Sequence, residues 1–202
     1  VPVLIRTLTA LQRAESIDEI VIAVREDALV EISALCKTYG ITKCKKVVRG
    51  GESRCHSVLL AALETSPDIR LLAVQDGARP LVTPELIDQV VAAAAKCGAA
   101  APAVPVKDTV KVAAADGAVL ETPDRSTLRA VQTPQVFEAE LLKAALQSAL
   151  ENNVPVTDDC SAVERLGKVV YLVEGDEENM KITTPIDLTV AEAILTEREA
   201  RA

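Results

Sequence analysis

The sequence predicts an α/β domain: a mostly parallel, twisted sheet with helices on both faces. Three observations carry that prediction. Short, almost wholly apolar runs alternate with segments of helical spacing along the first half of the chain. Several of these runs end in loops rich in Gly, Asp and Arg, at the rim where open α/β sheets place their ligands. The chain has 202 residues, 49% of them hydrophobic, which suits one domain with a substantial core.

Residues 3–14 carry Leu4, Leu8 and Leu11 on one helical face, and 19–24 follow with the apolar run Ile20, Val21, Ile22 of a buried strand. Helical spacing returns over 27–39 through Leu29, Ile32 and Leu35 and stops at Gly40, and 45–48 is a second short strand before Gly50-Gly51. Residues 57–63 are helical again. The run Leu71 to Val74 breaks off into Asp76-Gly77-Ala78-Arg79-Pro80, and Pro84, at the first-turn position it favours, opens a helix to about 96. From 99 the pattern changes. Residues 101–106, 110–113 and 119–122 are short extended stretches, and Asp116-Gly117 marks a hairpin turn between the last two. This is expected to be a β-arm, inserted at about 105–131 into a single domain. Helices follow over 138–150, 158–166 and 185–199, with a strand at 169–173.

Composition removes several classes of function. With 22 Lys+Arg against 30 Asp+Glu the net charge is −8, which disfavours grip on a polyphosphate backbone, so nucleic acid is not expected as a partner. The only aromatics are Tyr39, Phe137 and Tyr171, too few for base-stacking platforms, so any nucleotide must be held by backbone and polar groups. Every hydrophobic run is interrupted well short of the roughly 20 residues of a membrane span. Cys36, Cys44, Cys55, Cys97 and Cys160 are odd in number and lack Cys-x-x-Cys spacing, which fits a reducing cytoplasm better than a disulfide framework or a zinc site.

Gly50-Gly51-Glu52-Ser53-Arg54 lies at a strand-to-helix junction, where glycines allow close approach and the helix start offers unpaired N–H groups. On spacing alone it is equally an ordinary capped turn. Asp76 to Arg79 is more informative, placing a carboxylate, small residues and a guanidinium after an apolar strand; Asp76 could orient a hydroxyl or a metal, or else cap a helix or form a surface ion pair. Arg125, Thr133, Thr157 and Lys181 each sit beside a residue that breaks regular structure. Converging at one rim, two cations and two hydroxyls would suit a phosphate monoester; otherwise they are solvated groups on unrelated surfaces. The lone histidine, His56, directly follows Cys55 on the expected helix, which does not make a separated Cys-His pair. Neither Gly-x-Gly-x-x-Gly nor Gly-x4-Gly-Lys-Ser/Thr occurs.

Six segments in order, Gly50 to Val58, Val74 to Pro80, Pro105 to Lys111, Gln132 to Phe137, Thr157 to Asp159 and Asn179 to Thr183, resemble the 2-C-methyl-D-erythritol 4-phosphate cytidylyltransferases over nearly the whole chain. The resemblance implies a Rossmann-like nucleotidyltransferase fold. It also implies a reaction joining CTP and methylerythritol phosphate, with pyrophosphate released and Mg²⁺ held mainly by the CTP phosphates rather than by protein ligands. In its terms Gly50, Gly51, Glu52 and Ser57 read the cytosine, and Asp76 lies between nucleotide and sugar phosphate. Arg125, Thr133, Thr157 and Lys181 hold and aim the methylerythritol phosphate. The β-arm becomes a dimerisation arm, and Arg79 and Thr109 reach the substrate bound mainly by the other subunit of a homodimer. Two departures stand out. Gln75 occupies a position where the family commonly has His. The family's opening strand and Gly-rich triphosphate loop, with its Lys, do not precede Val1. The expectation is that they belong to the full-length protein. The rival readings are a catalytically inactive nucleotide-binding or scaffold homologue, and a nucleotidyltransferase for another polyol or sugar phosphate.

Overall fold

The computed structural model describes residues 1–201. Its elements in chain order are α1 (Val3–Arg13), β1 (Ile20–Val24), α2 (Leu29–Thr38), β2 (Cys44–Arg49), α3 (Arg54–Leu63), β3 (Leu71–Val74), α4 (Pro84–Cys97) and β4 (Ala99–Pro105). Then come β5 (Val112–Ala113), β6 (Val119–Glu121), β7 (Arg129–Val131), β8 (Gln135–Glu138), α5 (Ala139–Glu151), α6 (Asp159–Arg165), β9 (Tyr171–Glu174) and α7 (Pro185–Arg201).

The helices begin where short polar side chains can take up free N–H groups. Ser53 accepts from His56 N ahead of α3, Thr83 accepts from Leu86 N ahead of α4, and Asp158 forms a reciprocal capping box with Ser161 ahead of α6. Pro84 occupies the first turn of α4, and Gly98, at φ +83°, ends it in the left-handed conformation that glycine adopts freely. α3 therefore starts three residues before the expected boundary, because Ser53 is its cap.

Helices do cover both faces. On one, Ile5, Leu8 and Leu11 of α1 pack with Ile87 and Val90 of α4 over Ala100 of β4 and Val136 of β8. On the other, Leu59 of α3, Leu142 and Leu146 of α5 and Val163 of α6 pack over Ala99, Ala101 and Phe137. Neighbouring residues of β4 and β8 thus point to opposite cores, the two-residue alternation of a strand buried on both sides. The alanines of β4 let both layers approach closely.

The expected mostly parallel sheet is corrected to a mixed one. β1 pairs with β2 and β4 with β9 in parallel, but β8 runs antiparallel to both β3 and β4, and β7 antiparallel to β4. The cause lies in connectivity: β7 and β8 follow the arm with no helix between them, and a parallel pairing needs a long crossover. Sequence reading missed both strands, because β7 is wholly exposed and only Val136 and Phe137 of β8 are apolar. β1 and β2 form a separate pair, and an apolar cavity of about 440 Å³ runs between β1 and β3 under Leu4, Leu8 and Leu11. β5 and β6 make a two-stranded ribbon off the main sheet, turning at Gly117 with φ +89°.

Candidate active site

Gly50 and Gly51 follow β2, and their shape is set by close neighbours. Gly50 N donates to Val24 O at 2.7 Å, and a Cβ on Gly50 would stand 2.9 Å from Ser57 Oγ. A Cβ on Gly51 would run into the His56 ring. Ser57 Oγ donates to Ser53 O at 2.8 Å and accepts from Gly51 N at 3.1 Å, so this hydroxyl ties the loop to the first turn of α3. Glu52 is exposed at the loop's tip. His56 thus has a packing role against Gly51.

Asp76, just beyond the end of β3, is the centre of the site. Lys181 Nζ lies 3.0 Å from Oδ2, Arg79 Nε 3.5 Å from the same oxygen, and Arg54 3.8 Å from Oδ1. Its backbone N–H donates to Thr133 Oγ1 at 3.1 Å. Three loops are stitched together around it: Arg79 donates to Asn179 O at 2.6 Å, Asn179 Nδ2 donates to Thr133 O at 3.0 Å, and Ile182 N donates to Ala78 O at 2.8 Å. Arg198 of α7 clamps the same loops, donating to Leu81 O at 2.9 Å and pairing with Glu178 at 2.8 Å.

Arg54 extends the network to a fully buried carboxylate, Asp159, at 2.7 Å. Burial pushes the Asp159 carboxyl up, although the Arg54 hydrogen bond and charge pull it down. Burial works against the charge of Arg54, but hydrogen bonding to Asp159 and the charges of Asp159 and Asp76 raise it overall. Arg79 is held down by burial despite Asp76. Among the described residues, the buried side-chain atoms without a hydrogen-bond partner are Gln75 Oε1, Arg79 Nε, Asp159 Oδ1 and Asn179 Oδ1. All four belong to Asp76's neighbours in sequence or in this network. Buried polar atoms without a hydrogen bond are costly, and these gather beside Asp76, with Arg79 Nε left only its ion contact to Oδ2, as befits a polar site.

The structure brings Asp76, Lys181, Arg79 and Thr133 into one cluster. Thr157 is exposed at the head of α6, linked by its N–H to Ser161 Oγ at 3.2 Å and two residues from Asp159. Arg125 is not in contact with Asp76: it lies between β6 and β7 and donates to Lys107 O at 2.5 Å, while Lys107 pairs with Glu177 on the loop leading to Lys181. Thr109 is exposed on the arm. Arg79, expected to reach a partner's substrate, is turned inward and bound to Asp76 and Asn179 of its own chain. The physical reason is its short tether, three residues from the carboxylate that pairs with it. Sequence reading assigned no role to Arg54, Asp159, Gln132, Gln135 or Asn179. The doublet Asp158-Asp159 before an apolar helix is a signal for a cap, but not for the burial of the second acid. Burial also raises the Cys55 and Cys160 thiols, which removes thiolate nucleophiles from this rim.

The family model for 2-C-methyl-D-erythritol 4-phosphate cytidylyltransferase matches residues 1–197. The chain belongs to this family. A 2-C-methyl-D-erythritol 4-phosphate cytidylyltransferase of Caldanaerobacter subterraneus is 47% identical over 196 residues, covering 96% of this chain and 86% of the relative. That of Bacillus cytotoxicus is 45% identical over 195 residues, covering 96% and 85%. Among solved structures, the 4-diphosphocytidyl-2C-methyl-D-erythritol synthase of Anaerococcus prevotii superposes with a TM-score of 0.90 at 32% identity, covering 97% of this chain and 86% of that one. The Thermus thermophilus cytidylyltransferase gives 0.81 at 34% identity, covering 96% and 89%. The site described above is therefore that of a cytidylyltransferase-family chain, with its mixed sheet and Asp76 rim.

Proposed function

We propose that this chain is a nucleotidyltransferase joining CTP to 2-C-methyl-D-erythritol 4-phosphate, giving 4-diphosphocytidyl-2-C-methyl-D-erythritol and pyrophosphate. The observation that carries the reading is Asp76, met by Lys181, Arg79 and Arg54 between the Gly50-Gly51 loop and the Thr157 loop. Family membership supplies the substrates.

A phosphate monoester has a second pKa of about 6 and is mostly a dianion at neutral pH, so the attacking oxygen needs no base. That oxygen bonds to the α-phosphorus of CTP, the bond to the β-phosphate oxygen breaks, and pyrophosphate leaves with the electron pair. The chain's work is to align two anions and offset the charge that builds up between them. Gly50, Gly51, Glu52 and Ser57 read the base; Lys181, Thr133, Thr157 and Arg125 hold the acceptor phosphate; Asp76 gathers and aims the cations of its cluster. Mg²⁺ accompanies the CTP phosphates in this reading. Among the described residues no three His, Cys, Asp or Glu side chains gather as ligands, and Asp76 is met by three cations. The working unit is a homodimer through the arm, where Val119 and Leu120 are 58% and 68% exposed. The free thiols of all five cysteines support a cytoplasmic setting; no helix among the described residues is long and apolar enough to cross a membrane.

The test is pyrophosphate release from CTP by the full-length protein with methylerythritol phosphate, other polyol phosphates or no acceptor. Release dependent on methylerythritol phosphate is expected; release only with another acceptor, or none, overturns the reading. Lys181→Ala and Arg125→Ala should lower kcat by about 100-fold or more while CTP binding stays within a few-fold, as befits groups that aim the nucleophile. Near-normal turnover in both removes their assigned roles.

A further inference from the structure

We propose that Arg54 and Asp159 are a positioning pair, whose ion contact sets the spacing between the Gly50–Ser57 loop and the Thr157 loop and holds the Oδ1 side of Asp76. The inference rests on the cytidylyltransferase reading of the site, and it adds two residues that need not touch the reacting atoms.

The two groups come from the two halves of the site. Arg54 is the first residue of α3 and moves with the glycine loop, whose N–H groups and cap it directly follows. Asp159 is the first residue of α6 and moves with Thr157, two positions upstream. They lie 105 residues apart in sequence, and their contact at 2.7 Å bridges the candidate base-reading loop and the candidate acceptor loop.

Asp159 is anchored independently of Arg54. Gln135, buried in β8, accepts from Asp159 N at 3.0 Å and from Cys160 N at 3.1 Å, and donates to Asp158 at 2.9 Å. This fixes the head of α6 on the sheet. The Asp159 side chain is 0% exposed and its Oδ1 has no partner, so the carboxylate charge rests on one Arg54 nitrogen. Such a charge makes that guanidinium position steep in energy, unlike a solvated surface pair. From that position Arg54 also faces Asp76 Oδ1 at 3.8 Å, while Lys181 and Arg79 both take Oδ2. Among the described residues Arg54 is the cation on the Oδ1 side, and without it Asp76 would be drawn toward Lys181 and Arg79 alone.

A purely structural role is the competing account. The cores already hold these elements: Cys55 and Leu59 of α3 pack with Leu142 and Leu146 of α5 and with Val163 of α6. A well-packed apolar pair would join two helices at least as well as a buried ion pair. Arg54 instead faces Asp76 Oδ1 at 3.8 Å and, like Ser57, Gln75 and Asp76, lines the cavity.

The experiment measures steady-state pyrophosphate release by the full-length protein and its Arg54→Gln, Arg54→Lys, Asp159→Asn and Arg54→Gln/Asp159→Asn variants, each normalised to its folded fraction from circular dichroism at the assay temperature. Each single neutral variant should lose about 10- to 100-fold in kcat, the scale of loss that a shift of about 1 Å produces. The KM for CTP should move by less than about threefold, because ground-state binding is kept. Arg54→Lys should recover part of kcat, having the charge without the planar fork. The double variant leaves no buried charge unpaired, so it reports even if a single variant fails to fold; its kcat should be no lower than that of the worse single one. Normalised kcat within twofold of wild type in the double variant, or in both folded single variants, overturns the pair. A wild type that releases no pyrophosphate overturns the functional reading and the pair with it.

Discussion

Gly51 shows how much one missing methyl decides at this site. The His56 ring occupies the space a Cβ would need, and Gly51 N donates to Ser57 Oγ, so any side chain at 51 must displace either the ring or the loop. Gly51→Ala is expected to raise the KM for CTP by roughly 10-fold, about 1.4 kcal/mol of binding, by pushing the loop's N–H groups off the base. Adding His56→Ala should return most of that loss by opening the space, and steady-state titration of CTP checks both. A double variant as poor as Gly51→Ala would show that the ring is not the obstacle. The single residues that sequence reading found share one property: Asp76, Arg79 and Lys181 are polar groups in short loops next to an apolar run or a helix start. Arg54, Asp159 and Asn179 escaped because their significance lies in burial and in partners far along the chain. Nothing in local spacing tells a buried Asp159 from the exposed Asp that so often follows a helix cap.

Elements are held in place by polar staples as well as by the cores. Asp88 on α4 accepts from Ser16 N at 2.9 Å, Glu15 N at 3.2 Å and Ser16 Oγ at 2.5 Å, fastening the turn between α1 and β1. Burial alone would raise its carboxyl, but these hydrogen bonds together with Lys43 hold it below the ordinary 3.8. Because the folded value is depressed, the stabilisation is complete above the unfolded value and is lost as pH falls through the folded one. Asp88→Asn should cost about 1–2 kcal/mol at pH 7, and the difference from wild type should shrink below about pH 3.8. Urea melts at both pH values test it; an unchanged gap at low pH would mean that the carboxylate charge is not what matters. The elements legible in the sequence were those with strong periodicity or a clean start, such as α4 with Pro84 in its first turn. β7 and β8 were not, since a strand of three exposed residues and one with two apolar residues carry no period of their own. Their pairing with β3 and β4 is a property of the assembled sheet, and it turned an expected parallel sheet into a mixed one.

For the molecule as a whole, the arm is the feature that its own chain does not explain. β5 and β6 form a ribbon joined to no other sheet, and an isolated two-stranded ribbon is marginal in water. Its residues Val112, Val119 and Leu120 are exposed, as are Val110 beside it and Val131 on β7. Exposed apolar side chains close together in this way are what the proposed subunit contact would cover. The arm also carries Arg125, tethered to Lys107, which pairs in turn with the Glu177 loop beside the site. In the proposed dimer, a partner that orders the arm would also fix where Arg125 points and so couple assembly to turnover. Analytical ultracentrifugation should give a dimer mass for wild type at micromolar concentration and a monomer mass for Val119→Asp/Leu120→Asp, in which two charges would have to be buried. The monomeric variant should keep the wild-type thermal transition, since neither residue belongs to either core, while its kcat falls about 10-fold or more through the unanchored Arg125. A wild type that sediments as a monomer, or a variant that stays dimeric, would place the subunit contact elsewhere; a monomeric variant with full turnover would leave the arm a role in assembly alone.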